Sequence, residues 1–259
     1  MIKTLFSVSL SNALRVWYRD VFVYKKLIKV GILPNFIEPL LYLVSMGLGV
    51  GRYVDGIHGM SYIAFIAPGF IASTAMFGTT FEVTFSTFVR FTWQKTFDAM
   101  ITTPVNAADV AFGELLWSAS KGTLFGTIML FVLSIFGLIP SWNALLIIPF
   151  LLLANLVFAI LGMIVTSLVP SMDFFNFYFT GFVTPSFLLS GIFFPIDEMP
   201  KLVQFLANFV PLHHIVEVVR SLAWGQWTDM TTFHLCVIVL MVVILIPIPV
   251  HRMAKRLVN

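Results

Sequence analysis

ALLIIPFLLLANLVFAILGMIVTSL, residues 144–168, decides the fold. It contains no Asp, Glu, Lys or Arg. About 20 helical residues cross a hydrocarbon core ~30 Å thick, so this run is long enough to span one. Inside lipid no water can satisfy its amides and carbonyls, and it must close its own hydrogen bonds as a helix. Barrel strands of about 10 residues are too short to account for it. Five further stretches read the same way, at 31–52, 62–88, 112–138, 174–195 and 231–250. The expectation is an all-α integral membrane protein, a single transmembrane domain over 1–259 with six transmembrane helices.

The composition agrees. Hydrophobic residues make up 59% of the chain and charged residues 10%, against roughly 45–50% and about 25% in a soluble domain. Such a chain could not cover its apolar surface in water. The net charge of +3 and the pI near 9.1 do not indicate nucleic acid, because the basic residues flank the apolar runs and form no reading surface. Cys236, the single cysteine, excludes a disulfide framework or a cysteine metal site and reads as a small buried hydrophobe. Met1–Val30 carries charges throughout, with no clean apolar core before a cleavage site, so the first span is expected to insert uncleaved.

Lys and Arg set the orientation. With the N-terminus inside, that side holds Lys3, Arg15, Arg19, Lys25, Lys26, Lys29, Arg90, Lys95, Arg252, Lys255 and Arg256. The other side holds Arg52, Lys201 and Arg220, and Lys121 lies within the third span. This asymmetry predicts both termini in the cytoplasm.

Three segments outside the spans are informative. Residues 4–29 place Arg15, Arg19, Lys26 and Lys29 near one face and offer Leu14, Trp17, Val21 and Phe22 to lipid, which predicts an interfacial helix. Arg90–Asp109 is the longest polar interval on the inner side. Ile196–Met230 is too broken for a plain crossing and too apolar for a loop. It predicts a re-entrant pair of short outer helices, 198–209 and 212–224, with Asp197 capping the first and Gly225 ending the second.

Chemistry-bearing motifs are missing. Lys121-Gly122-Thr123 lacks the preceding glycines of a phosphate-binding loop, and there is no HExxH or GxSxG. No catalytic residue, metal site or cofactor is therefore expected on this chain. Any energy consumed must come from another subunit.

The outer segment PLHHIVEVVRSLAWG (211–225), with Pro200 before it, resembles the signature of ABC-2 type exporter permeases. NFIEPLLYLVSMGLGVG (35–51), YIAFIAPGFIASTAMF (62–77), KTFDAMITTPV (95–105) and GELLWSASKGT (113–123) are similar to the nodulation-protein-J and lipo-oligosaccharide export branch. The resemblance covers essentially the whole chain. It implies a transport subunit of a bacterial inner membrane in which two copies form a pathway. Two copies of a separate ATP-binding subunit, carrying the ATP and Mg, would dock on the cytoplasmic side. The cargo would be an amphipathic lipid-linked or oligosaccharide-bearing molecule, or alternatively a hydrophobic drug. A membrane-embedded enzyme or scaffold is the reading from another class, but no cluster of carboxylates or histidines at one depth supports an enzyme.

The resemblance places the coupling contact at 95–110. There Thr103-Pro104 gives a stiff break, Asp98 and Asp109 give polar contacts, and Ala99 is a position where a bulky residue would disturb the contact; an ordinary solvated loop is the alternative. Glu38, Glu82 and Glu114 are carboxylates in or beside spans, where a charge faces a cavity, a partner or the interface. Glu114 is expected at the interface. Glu82, two turns from Arg90, is assigned to an inner gate or a contact between copies, and Glu38 to a polar kink before Pro39. In the fifth span Asn176, Thr180 and Thr184 recur at every fourth position and form a polar ridge on an aromatic helix. That ridge, with Tyr42, is either lipid-facing or a pathway wall. His213, Glu217 and Arg220 share one side of the second outer helix, as an outer gate or a local clamp.

Overall fold

The computed structural model describes residues 8–54, 56–57 and 59–258, apart from the side chains of 27–36, 38 and 258. Glu38 thus lies outside the described side chains. Among the described residues the chain is helical throughout, with one isolated bridge between Ile57 and Met60 and no strand.

Helix α1 (Leu10–Gly49) runs for 40 residues, about 60 Å at 1.5 Å per residue. From Leu10 on, the expected interfacial segment and the first span are therefore joined in one rod, with no break near residue 30. Helix α2 (Tyr62–Trp93) continues through Pro68 and is the centre of the bundle, with 89% of its most apolar window buried. A short helix α3 (Thr96–Ile101) follows, entered through Lys95 at φ 52°. Then come α4 (Ala107–Ile135) and α5 (Trp142–Leu168). The fifth apolar stretch forms α6 over 172–188 and stops short of residue 195. Gly191, at φ 80° in the left-handed region, turns the chain there before Pro195. Helices α7 (Lys201–Ala207) and α8 (Pro211–Trp224) are bent 87° to each other, and α9 (Asp229–Leu257) closes the chain.

Among the described residues four helices, α2, α4, α5 and α9, are long and apolar enough to cross a bilayer, with the α7–α8 pair as a bent fifth candidate. This is a multi-pass membrane protein. Gly225 ends α8 in the left-handed conformation as its position predicts. Asp197 does not cap α7: Pro200 holds that position, and the Asp197 carbonyl accepts instead from Gln204. Only 28% of the α9 window is buried and Cys236 on it is exposed, so the expectation of a buried thiol is corrected. A helix on the rim of the bundle turns most of its apolar side chains to lipid.

Glycines on α4 let the central helices approach. A Cβ on Gly122 would collide with Thr79 Oγ1 and come 2.5 Å from the Ala75 carbonyl oxygen. One on Gly126 would press on Leu151 and Ala75. Lipid provides little hydrophobic drive between helices, so this close contact supplies much of their association. Gly122→Val is expected to cost about 1–3 kcal/mol or more of stability. Thermal unfolding in detergent checks this, with Gly181→Ala, where nothing lies within 4 Å, expected to leave the midpoint unchanged.

Candidate functional site

At the α3 end of the bundle a charged cluster joins three helices. Eight residues of regular α-helix overshoot two turns by about 80°, which would set Glu82 and Arg90 on different faces. Two π-helical segments, Glu82–Ser86 and Val89–Trp93, wind more slowly and return them to one side. Arg90 Nη1 donates to Glu82 Oε1 at 2.7 Å and Nη2 to Glu114 Oε2 at 2.6 Å. On α4, Glu114, Trp117 and Lys121 share a face at i, i+3 and i+7. Trp117 Nε1 donates to Glu82 Oε1 at 2.7 Å, and Lys121 Nζ to Glu82 Oε2 at 2.5 Å. Thr87 Oγ1 adds a hydrogen bond to Glu114 at 3.2 Å. From α1, Asp20 is buried beside Arg19, and Trp17 donates to Ser120. Arg19, Asp20, Tyr24, Glu82, Arg90 and Lys121 are among the residues that line a cavity of about 490 Å³ here.

The same end is fastened at two further points. Asp109 forms a capping box with Asn106 and accepts from Ser9 N at 2.6 Å and Asn12 Nδ2 at 3.2 Å, tying the start of α1 to the start of α4. Gly113 leaves room for Ala13 and Val16 of α1. Arg256 of α9 donates to the carbonyls of Thr166 (2.6 Å) and Val169 (2.9 Å), closing the open C-terminal end of α5. Between these fastenings α3 projects. Ala99, Thr103 and Pro104 are exposed, and Asp98 is half exposed beside Lys95 at 3.8 Å.

At the opposite end, Arg220 Nη1 pairs with Glu217 Oε1 at 2.5 Å and Nη2 donates to the Gly191 carbonyl at 2.8 Å. Its guanidinium lies 4.2 Å over the Phe65 ring. His213 turns to the Ser190 carbonyl at 3.2 Å, and His214 meets His234 of α9 at 2.7 Å.

Of the coupling residues, Asp98, Ala99, Thr103 and Pro104 share the projecting turn. Asp109 does not; it is fully buried and holds α1, so it offers no surface to a partner. Glu82 and Glu114 come together through Arg90. Glu114 is fully buried, with Arg90 and Thr87 of α2 on its carboxylate. Tyr42, Asn176, Thr180 and Thr184 are all exposed and contact neither cluster among the described interactions. Glu217 and Arg220 pair as their spacing predicts, while His213 is taken by a backbone carbonyl. Sequence inspection missed Lys121 and Trp117 as partners of Glu82, Asp20 as a buried acid, Arg256 as a cap and His234 as the partner of His214. Only Lys121 carried a signal, as a lysine inside an apolar span.

Removing one member of a buried ion network strands the others and costs about 3–5 kcal/mol. Glu82→Gln is expected to destabilise by that order, and adding Lys121→Met to recover roughly half by removing the stranded ammonium. Unfolding midpoints of both variants check this; additive losses would contradict the coupling.

Residues 6–224 match the family of ABC-2 type transporters. Nodulation protein J of Rhizobium leguminosarum bv. viciae is 38% identical over 249 residues, covering 96% of this chain and 96% of its own. Nodulation protein J of Rhizobium meliloti is 39% identical over 215 residues, 83% of this chain and 82% of its own. A more distant relative, inner membrane transport permease YadH of Escherichia coli, is 23% identical over 208 residues, covering 79% and 80%. A family match spanning most of the helical bundle, with relatives at this identity along nearly all of both chains, makes this chain a member of the ABC-2 type transporter family.

Proposed function

We propose that this transport permease works as one half of a dimeric exporter driven by a separate ATP-binding subunit that docks on α3. The observation that carries the proposal is the combination of an exposed turn and a locked base. Asp98, Ala99, Thr103 and Pro104 project from the bundle, while Asp109, the Glu82–Arg90–Glu114–Lys121 network and Arg256 fasten the helices behind them. A push on α3 then reaches α1, α2 and α4 together. ATP and Mg belong to the partner, two copies of which would serve two copies of this chain.

Six crossings are proposed: α1, α2, α4, α5, α6 and α9, with α7–α8 entering and leaving from the outer side. Both termini lie in the cytoplasm of a bacterium and the chain in its inner membrane, as the placement of Lys and Arg supports. The exposed faces bearing Tyr42 on α1 and Asn176, Thr180 and Thr184 on α6 suit a pathway completed by the second copy. An alternating polar and aromatic surface there accommodates sugar hydroxyls and acyl chains alike, which favours an amphipathic lipid-linked or oligosaccharide-bearing cargo moved outward. Glu82 and Glu114 act in the inner gate. Glu217 and Arg220, with His213 beside them, hold the outer end closed.

Asp98→Arg and Ala99→Trp are expected to lower stimulation of the partner's ATPase about tenfold, the effect of ~1.4 kcal/mol at the docking contact, with membrane insertion unchanged. ATPase assays in vesicles containing both subunits check this. Normal stimulation by both variants would remove α3 from the docking surface.

A further inference from the structure

The end of the bundle around α8 holds a cavity of about 530 Å³, and the closing pair Glu217–Arg220 and His213 form part of its lining. Its walls come from the start of α2, the 195–197 turn, α7, α8 and α9. The hydrogen bonds around it fix which ring nitrogens carry protons. His214 Nε2 faces the Asn208 carbonyl at 3.0 Å and must donate, so in the neutral ring its Nδ1 is an acceptor. His234 Nδ1, 2.7 Å away, must then be the donor, which leaves His234 Nε2 as a bare acceptor. His213 Nδ1 donates to the Ser190 carbonyl and leaves its Nε2 in the same state. Both His213 and His234 are 7% exposed, line the cavity and have no protein partner for Nε2.

The remaining side chains add more acceptors. Glu217 gives one oxygen to Arg220 and keeps the other. Asp197 stands at the exposed rim with its carboxylate unpaired. Gln204 spends its amide hydrogens on the carbonyls of Asp197 and Met199, leaving its oxygen free. Asn208 donates one amide hydrogen to the Gln204 backbone carbonyl and keeps its oxygen and its second N–H. Among the described residues Arg220 is the one cation lining the cavity; its two Nη atoms are committed to Glu217 and the Gly191 carbonyl, its plane lies over Phe65, and its buried Nε has no partner. Among the described residues, Asp197 and Glu217 against Arg220 leave the lining one negative charge in excess.

We propose that this cavity binds a primary ammonium group. Three N–H donors and one positive charge match a lining that is rich in acceptors and short by one cation. A sugar hydroxyl, which donates and accepts equally, would find few donors here. A quaternary ammonium has no N–H to give these acceptors; of the two phenylalanines lining the cavity, Phe65 is covered by Arg220 and Phe233 packs against His214 and His234. Among the described residues no three His, Asp or Glu side chains converge to hold a metal ion. The ammonium can arrive on a free amine or on a lipid headgroup. Leu202, Phe205 and Phe209, exposed on and just after α7, give lipid a surface beside the cavity. The proposal stands on this geometry alone and does not depend on a motor subunit.

Thermal stabilisation of the full chain reports binding directly. In nanodiscs of phosphatidylcholine, ethanolamine is expected to raise the midpoint where choline at equal concentration does not; that result identifies a free amine. If ethanolamine has no effect but phosphatidylethanolamine in the disc does, the headgroup is the source. In either case Asp197→Asn, at the exposed rim and clear of the Glu217–Arg220 pair, is expected to weaken binding roughly tenfold, the loss of one charged hydrogen bond. Equal effects of choline and ethanolamine, no effect of either amine source, or undiminished binding in Asp197→Asn would each overturn the proposal.

Discussion

Glu82 is the constraint on which the α3 end of the molecule depends. A carboxylate taken from water into the centre of a helical bundle carries a penalty of several kcal/mol unless every lone pair is met. Here it is met by an arginine from its own helix and a lysine and an indole from α4. Arg90 in turn needs Glu114, and Thr87 supplements it. These contacts to Glu82 and Glu114 form only when α2 and α4 sit in one register, so they specify the helices' relative position more than they stabilise them. The glycine seam at Gly122 and Gly126 works in the same direction through packing.

That fixed register gives the protruding α3 a mechanical setting. A six-residue helix has little stability by itself. It is held because Phe97 is buried beneath it and because the helices on either side are tied by charge and by the Asp109 clamp. Arg256 brings the far end of the chain to the same place. Forces applied to the exposed turn are thus shared among helices that are otherwise distant in sequence. The opposite end is organised differently: bent short helices, a turn at Gly191 and imidazoles surround a roomy cavity.

Long apolar runs were readable because lipid imposes one rule, internal hydrogen bonding, on every crossing segment. The 144–168 run, α2, α4 and α9 followed directly from it. Gly225 and the Glu217–Arg220 pair were readable because both are local, set by spacing along one helix. What escaped was non-local. Nothing near Asp109 in sequence announces Ser9 and Asn12, about a hundred residues away, and nothing near His214 points to His234. The π segments that align Glu82 with Arg90 leave no mark in periodicity, so the acid and base were seen as a pair two turns apart without their link to Lys121. The α6 stretch looked longer than it is because its apolar composition continues past the turn at Gly191.

The account makes this chain a passive pathway that moves only when an outside motor acts on α3. Reconstitution of the purified chain into vesicles, with and without an ATP-binding subunit, measures that dependence. Transport of an oligosaccharide-bearing lipid that requires both the subunit and ATP is the result the account predicts. Full turnover by the chain in vesicles free of any ATPase would contradict it.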